Sequence, residues 1–241
     1  MFYLIGLGLD LKSISAKALE ILEKCEKVYL ESYTTDFHYS VPQLEKFINK
    51  KIKELGRKQV ESEKIVQEGK NKDVALLVYG NPLSATTHIQ LILACKKKKI
   101  KYKIIHSESV LTAIAETGLQ LYKFGKTASM PEFRQEYKPD SWYNIILQNE
   151  KIKAHTLLLT DIGLNALDAL KQLEQVCKKR NVCIDKIIIC SKVGTGESKI
   201  FYDKLESLKR KTAKIKMPFC IIIPSEMHFL EKKALDVLRE K

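Results

Sequence analysis

The sequence predicts an α/β protein built from two α/β domains, on three observations. Short β-rich runs alternate with amphipathic stretches along the whole chain. The runs VALLV (74–78), TLLLT (156–160), IIIC (187–190) and CIII (220–223) lack polar alternation, as strands do when helices cover both faces of a sheet. The 241 residues suffice for one large domain or two small ones, and counting elements places the division near His106, giving domains 1–106 and 107–241.

The first domain opens with strand FYLIG (2–6) and a helix near Ser13–Lys24, where Ala18, Leu19, Leu22 and Cys25 share a face. Strand VYLES (28–32), a helix from Pro42 to Ile48 and a short strand over Ile52–Leu55 follow. A charged helix near Glu61–Lys70 precedes strand Val74–Tyr79, whose own helix is expected over Ser84–Lys97. Tyr102–Ile105 is the last strand of this half. The second domain starts with a helix near Ser109–Leu121, then a polar, aromatic loop through PEFRQEYKPDSW and a helix near Tyr143–Asn149. Strand His155–Asp161, helix Ala166–Lys178 and strand Asp185–Val193 come next. After GTGES, Lys199–Tyr202 leads into a basic helix through Arg210, and the chain closes with strand Phe219–Pro224 and helix His228–Arg239.

Hydrophobic residues make up 45% and charged residues 29% of the chain, an ordinary globular balance. No apolar run approaches the roughly 20 residues a membrane span needs, and MFYLIGLGLDLK lacks a signal peptide's basic start and cleavage site. A cytoplasmic protein without membrane contact is expected. The cysteines (Cys25, Cys95, Cys177, Cys183, Cys190, Cys220) show neither CxxC nor histidine partners at metal spacing, so buried free thiols and no metal are expected. The net charge of +13 suggests an anionic partner. Its cations are almost all lysine, however, with arginine only at positions 57, 134, 180, 210 and 239. Nucleic-acid readers favour arginine for its bidentate fork, so nucleic acid is not the expected partner. The run Lys96–Lys99 closes a predicted helix, where cations suit the negative end of the dipole.

In open sheets, ligands bind beyond the carboxyl ends of the strands. Two glycine turns fall there: Gly6-Leu7-Gly8-Leu9 after the first strand, and Gly80-Asn81-Pro82 after VALLVY. Gly6-Leu7-Gly8 resembles the start of a dinucleotide fingerprint without its third glycine, and Glu31 meets the spacing of that fingerprint's acidic residue. His88 lies one turn into the helix after the second turn, at the mouth of the expected cleft, as a packing or polar rim residue or as a chemical one. Asp161 closes a strand, where it could bind a ligand or cap the next helix. Ser107, Ser109 and Thr112 read as capping residues at a strand-to-helix passage. GxSxG, HExxH and Walker sequences are absent, leaving serine-hydrolase, zincin and P-loop chemistry without support.

YLIGLGLD, ESYT (31–34), YGNPLSATTH, HSESVLTAIAETGLQLYKFGK (106–126) and HTLLLTDI together resemble, in order and spacing, the diphthine synthases, two-domain methyltransferases related to the tetrapyrrole methylases. The resemblance covers most of the chain, strongest over Gly80–Lys126 and weakest over Thr127–Asn149 and Thr195–Met217. It implies two α/β domains of the tetrapyrrole-methylase type with S-adenosylmethionine in the interdomain cleft, in a homodimer. It also implies methylation of the amino group of a 3-amino-3-carboxypropyl-histidine in translation elongation factor 2, to give diphthine. Cofactor contacts carry over onto Leu9, Asn81, Ser84, Ser109, Val110, Thr160, Val193 and Phe219; no catalytic residue carries over. An RNA methyltransferase of the same fold and a catalytically silent binding protein are the alternatives.

The family pattern Gly-Asp-Pro stands here as Gly80-Asn81-Pro82. Losing a negative charge beside a cationic cofactor implies binding weakened by roughly tenfold, because charged hydrogen bonds contribute more than neutral ones. A sulfonium brings its own leaving group, so the protein mainly aligns nitrogen, carbon and sulfur. The attacking amine must be neutral, which desolvation favours. His88 and Asp161 are the candidate bases, and Lys123 and Lys126 are candidate partners of the substrate carboxylate or, equally, surface lysines.

Overall fold

A computed structural model describes residues 1–182 and 184–240. The chain divides into two compact units, Met1–Val110 and Leu111–Lys241. The division falls four residues beyond the expected one because the segment after the fifth strand stays tied to the first unit. Ser107 takes a hydrogen bond from Asn81 on its carbonyl and gives one from its hydroxyl to the Ser13 carbonyl.

The first unit holds one five-stranded sheet, entirely parallel, in the order β3-β2-β4-β1-β5. Its strands are β1 (Phe2–Gly6), β2 (Lys27–Glu31), β3 (Ile52–Leu55), β4 (Val74–Val78) and β5 (Tyr102–Ile105). Its helices are α1 (Ala16–Lys24), α2 (Val41–Ile48), α3 (Arg57–Glu61), α4 (Lys64–Glu68) and α5 (Ile89–Lys97), with α6 (Val110–Ala113) at the junction of the units. Alternate residues of β4 feed two cores. Ala75 and Leu77 pack with Ala18, Leu22 and Leu44 of α1 and α2; Val74, Leu76 and Val78 pack with Val60, Ile65, Leu91 and Cys95 of α3, α4 and α5. Every residue of VALLV is therefore buried, which explains the unbroken apolar run. The chain leaves β1 toward β2 and leaves β4 toward β5, in opposite directions, so the sheet's switch point lies between these adjacent strands.

The second unit also holds five strands: β6 (Ala128–Met130), β7 (Thr156–Thr160), β8 (Lys186–Ser191), β9 (Lys199–Lys204) and β10 (Phe219–Ile223). Their order is β6-β7-β10-β8-β9, and of the neighbouring pairs only β6 with β7 is parallel. Helices α7 (Trp142–Lys151), α8 (Ala166–Lys179) and α9 (Leu205–Arg210) supply Trp142, Ile146, Leu170, Leu173 and Leu208 to its core. The last helix, α10 (Phe229–Leu238), buries Leu235. The other strand faces, with Leu157, Ile188 and Ile222, are buried as well. Unbroken apolar runs thus reported burial on both faces correctly in each unit, while strand direction differs between them.

Three expected helices are shorter or broken. The helix after GNP begins at Ile89 rather than Ser84, because Ala85 adopts φ 57° and side chains fold back onto the Pro82 carbonyl. Of Glu61–Lys70 only Lys64–Glu68 is helical as α4; α3 ends at Glu61, and Glu63, which adopts φ 58°, parts the two. The Ser109–Leu121 stretch is α6 followed by a 3-10 turn that ends at Gly118, φ 79°. Cys25, Cys95, Cys177, Cys190 and Cys220 are buried; Cys183 lies outside the described residues. No helix among the described residues is long and apolar enough to cross a membrane.

Candidate cofactor and substrate site

The first-unit candidates converge at the switch point. Past β1 and β4 the two glycine turns pair with each other: Gly8 N–H donates to the Gly80 carbonyl at 3.2 Å, and Gly80 N–H to the Gly8 carbonyl at 2.9 Å. Both glycines need positive φ, 75° and 69°. Gly6 is small for a different reason, since a Cβ there would stand 2.6 Å from the Gly80 oxygen and 2.8 Å from the Pro82 ring. Leu9 is buried, and its carbonyl accepts from the Tyr79 hydroxyl at 2.9 Å. Ser84 N–H closes a turn on the Asn81 carbonyl at 3.2 Å. Ser109 is buried and Val110 opens α6.

Asn81 uses its whole amide. Its Oδ1 accepts from the Leu83 N–H at 3.1 Å, while Nδ2 donates to the Ser107 carbonyl at 3.0 Å and to Nδ1 of His106 at 3.2 Å. The opposite orientation would set oxygen against oxygen and N–H against N–H, so these neighbours decide it. The side chain therefore links the loop after β4 to the segment after β5, and its bond to the Ser107 carbonyl needs a donor that a carboxylate lacks.

In the second unit, Thr160, Val193 and Phe219 gather at one end of the sheet. Thr160 ends β7, Phe219 starts the antiparallel β10, and Val193 follows β8. The Thr160 hydroxyl donates to the Phe219 carbonyl at 3.3 Å, and Lys192 N–H to the Pro218 carbonyl at 2.8 Å. Backbone groups at strand ends, apolar side chains and a few neutral polar groups suit a nucleoside sulfonium, whose adenine needs apolar surface and whose charge tolerates carbonyl oxygens.

The chemical candidates read from sequence fare differently. His88 is not a rim residue: it is 2% exposed and sits at the cap of α5. The Pro82 carbonyl, which can only accept, lies 3.2 Å from its Nδ1, so Nδ1 carries the proton. The same carbonyl accepts from the Thr86 hydroxyl at 2.7 Å. Burial pulls the His88 pKa down, only partly offset by Glu31 and the Pro82 bond, so a neutral ring braces the loop from behind. Glu31 is buried too, its carboxylate folded back onto the Tyr33 N–H and the Thr34 hydroxyl, each at 2.6 Å. That turn is what ESYT encodes, and it leaves no carboxylate for a dinucleotide ribose.

Asp161 caps no helix; it accepts from the Ile162 and Glu132 N–H groups, and Asn165 caps α8. Lys123 does not await a substrate carboxylate, since its ammonium lies 2.6 Å from Oε2 of the fully buried Glu231 and donates to the Glu226 carbonyl. Lys126 donates to Gln148. Sequence reading passed over His38, whose Nε2 faces Asp10 at 3.6 Å inside a cluster of rings from residues 37–39 and 79. No spacing rule joins positions 28 residues apart, although the run Phe37-His38-Tyr39 is itself an unusual density of rings in a loop.

Residues 1–209 match the family model described as Tetrapyrrole (Corrin/Porphyrin) Methylases. The chain belongs to this family. Within it the similarity is to the diphthine synthases. A diphthine synthase of Methanocaldococcus jannaschii is 37% identical over 261 residues, covering 100% of this chain and 99% of the relative. A diphthine methyl ester synthase of Schizosaccharomyces pombe is 34% identical over 98% of this chain and 93% of its own length. A solved structure of diphthine synthase superposes with a TM-score of 0.90 at 32% identity, covering 99% of this chain and 96% of that one.

Proposed function

We propose that this protein transfers methyl groups from S-adenosylmethionine to the amino group of the 3-amino-3-carboxypropyl-histidine of translation elongation factor 2, giving diphthine. The observation that carries this reading is end-to-end similarity to diphthine synthases, 37% identical across the whole chain in the Methanocaldococcus relative. The paired glycine turns at the switch point of the parallel sheet support it, being where such a fold binds ligands.

Leu9, Asn81, Ser84, Ser109 and Val110 of the first unit would hold the cofactor, as would Thr160, Val193 and Phe219 of the second. The bound cofactor supplies an activated methyl and its own leaving group. The chain's share is alignment and exclusion of water: Gly8 and Gly80 let backbone approach closely, and the His88–Pro82 brace keeps their loop from shifting. The substrate amine must shed a proton before each attack, and a trimethylated nitrogen can attack no further. The active form is a homodimer in this reading.

The test is mass spectrometry of elongation factor 2 bearing the unmethylated precursor, after incubation with this protein and S-adenosylmethionine. A shift of three methyls confined to the modified histidine peptide is the expected result, and a fourth would place the protein with the methyl ester synthases. No shift, on a preparation that an established diphthine synthase does methylate, refutes the reading.

A further inference from the structure

We propose that Asp10, oriented by His38, is the residue that receives the substrate's amino group, takes its proton and faces the positive charge that forms on nitrogen. This rests on the methyl-transfer reading above and names the group serving it. Asp10 follows Leu9 directly, and the Gly8–Gly80 pairing sets this turn beside the Asn81 loop. Its Oδ1 accepts from the Lys12 N–H at 2.9 Å, which fixes the carboxylate. Its Oδ2 faces Nε2 of His38 at 3.6 Å. That is longer than a hydrogen bond, and catalytic contacts are often loose before substrate is seated. The Asp10 side chain is 33% exposed while that of His38 is 8% exposed, so the carboxylate fronts the site and the imidazole stands behind it.

The surroundings suit a cationic nitrogen. The Tyr79 ring lies 5.2 Å from Phe37 and 6.4 Å from His38, and its hydroxyl holds the Leu9 carbonyl. Tyr39 packs on both Phe37 and His38. Burial, with Asp10 nearby, pushes both phenols up, so they stay neutral and present π density rather than charge. Among the described residues, four buried side-chain polar atoms lack a hydrogen-bond partner, the Tyr33 hydroxyl and His88 Nε2 elsewhere and His38 Nδ1 and the Tyr39 hydroxyl together in this cluster. Buried polar atoms ordinarily have partners, and two orphans in one cluster mark a place where a ligand completes the set.

The step balances. The ammonium passes one N–H proton to the Asp10 carboxylate. The freed lone pair attacks the methyl carbon, the C–N bond forms as the C–S bond breaks, and that bond's electrons stay on sulfur as a neutral thioether. Positive charge has moved onto nitrogen, beside an anion and aromatic rings, where it is stabilised. Asp10, being partly exposed, returns its proton to water before the next round. After the third transfer no N–H remains.

The experiment compares Asp10→Asn, Asp10→Ala, His38→Gln, Asp10→Asn/His38→Gln and Glu108→Gln with the unaltered protein. It measures turnover on the precursor substrate and, separately, S-adenosylhomocysteine affinity by calorimetry. Glu108 is the nearby rival carboxylate, 3.5 Å from the Ser13 hydroxyl. Expected are a loss in kcat of about 10²-fold in both Asp10 variants and of about tenfold in His38→Gln. The double variant should fall no further than Asp10→Asn alone, as groups acting through one another do. Thioether affinity should stay within about threefold throughout, and added formate should restore part of the turnover of Asp10→Ala. The proposal is overturned if Asp10→Asn keeps its kcat, if turnover and thioether affinity fall together, or if Glu108→Gln is the variant that fails. The unaltered protein's own activity tests the methyl-transfer reading, while the ratio of variant to unaltered protein tests Asp10, so the two fail separately.

Discussion

At Asn81, two N–H groups meet the Ser107 carbonyl and His106 Nδ1, and an oxygen meets the Leu83 N–H. From sequence, asparagine in place of the family's aspartate reads as a charge lost beside a cationic cofactor. In the fold it supplies donors that aspartate lacks. Asn81→Asp would set a carboxylate oxygen against the Ser107 carbonyl, forfeiting one hydrogen bond and adding repulsion, a cost of about 1–3 kcal/mol. The expected outcome is a melting temperature lowered by about 2–12 °C with no gain in S-adenosylhomocysteine affinity. Tighter binding at unchanged stability, by calorimetry and thermal unfolding, would restore the charge argument. The residues that carry chemistry were the least legible. Leu9 and Asn81 could be placed by their strand ends, but the burial of His88 and the pairing of Lys123 with Glu231 could not, because a linear pattern does not report burial or a partner 108 residues away.

Among elements, the pairing of the loops after β1 and β4 matters most, and Gly6 is its tightest point. Gly6→Ala must push the Gly80 carbonyl and the Pro82 ring away. Overpacking of this kind costs about 1–3 kcal/mol, and here the displaced atoms belong to the cofactor loop. Loss of S-adenosylhomocysteine binding beyond the loss of stability is expected, and a folded variant that binds normally would show the pairing to be incidental. Element boundaries were readable where side chains alternate or run apolar, as in β4. They failed where a side chain competes for backbone, as Thr86 and His88 do at the Pro82 carbonyl. The three-residue β6 is too short for any periodicity to announce it.

Across the molecule, three buried titratable groups set the response to acid. Burial holds His88 and His155 below the usual histidine pKa. Burial would raise Glu231, but the Gln120 N–H, Lys123, the His228 N–H and His155 outweigh it and hold the carboxyl down to about 2. All three are depressed in the fold, so each stabilises above its unfolded pKa and loses that contribution as pH falls. For the histidines the loss begins near about pH 6.5, and for Glu231 it runs from about pH 4.3 down to the folded value. The melting temperature should therefore hold between about pH 7 and 8.5 and drop steadily below about 6.5. A flat profile down to about pH 5 would mean these histidines charge freely in the native state. Saturating S-adenosylmethionine, at about a hundred times its dissociation constant, should add about 2.7 kcal/mol, or roughly 5–10 °C for a chain of this size. No shift would refute cofactor binding. The charge of +13 has its test here as well. If lysines steer an acidic protein substrate, methylation should slow by about tenfold between low and high salt, and a flat dependence removes that role.

The sequence by itself determined which segments are buried strands, β6 excepted, that two α/β halves follow one another, and where glycine must stand for backbone to come close. Each is a local property, set by side-chain polarity over a few residues and by the φ a turn demands. Tertiary structure alone decided that the second sheet is largely antiparallel, since an apolar run buried on both faces reads the same in either direction. It alone decided that Lys123 neutralises a buried Glu231, that His88 braces a loop from within, and that His38 meets Asp10. A charged or titratable side chain takes its role from the groups the fold places around it, and those come from distant parts of the chain.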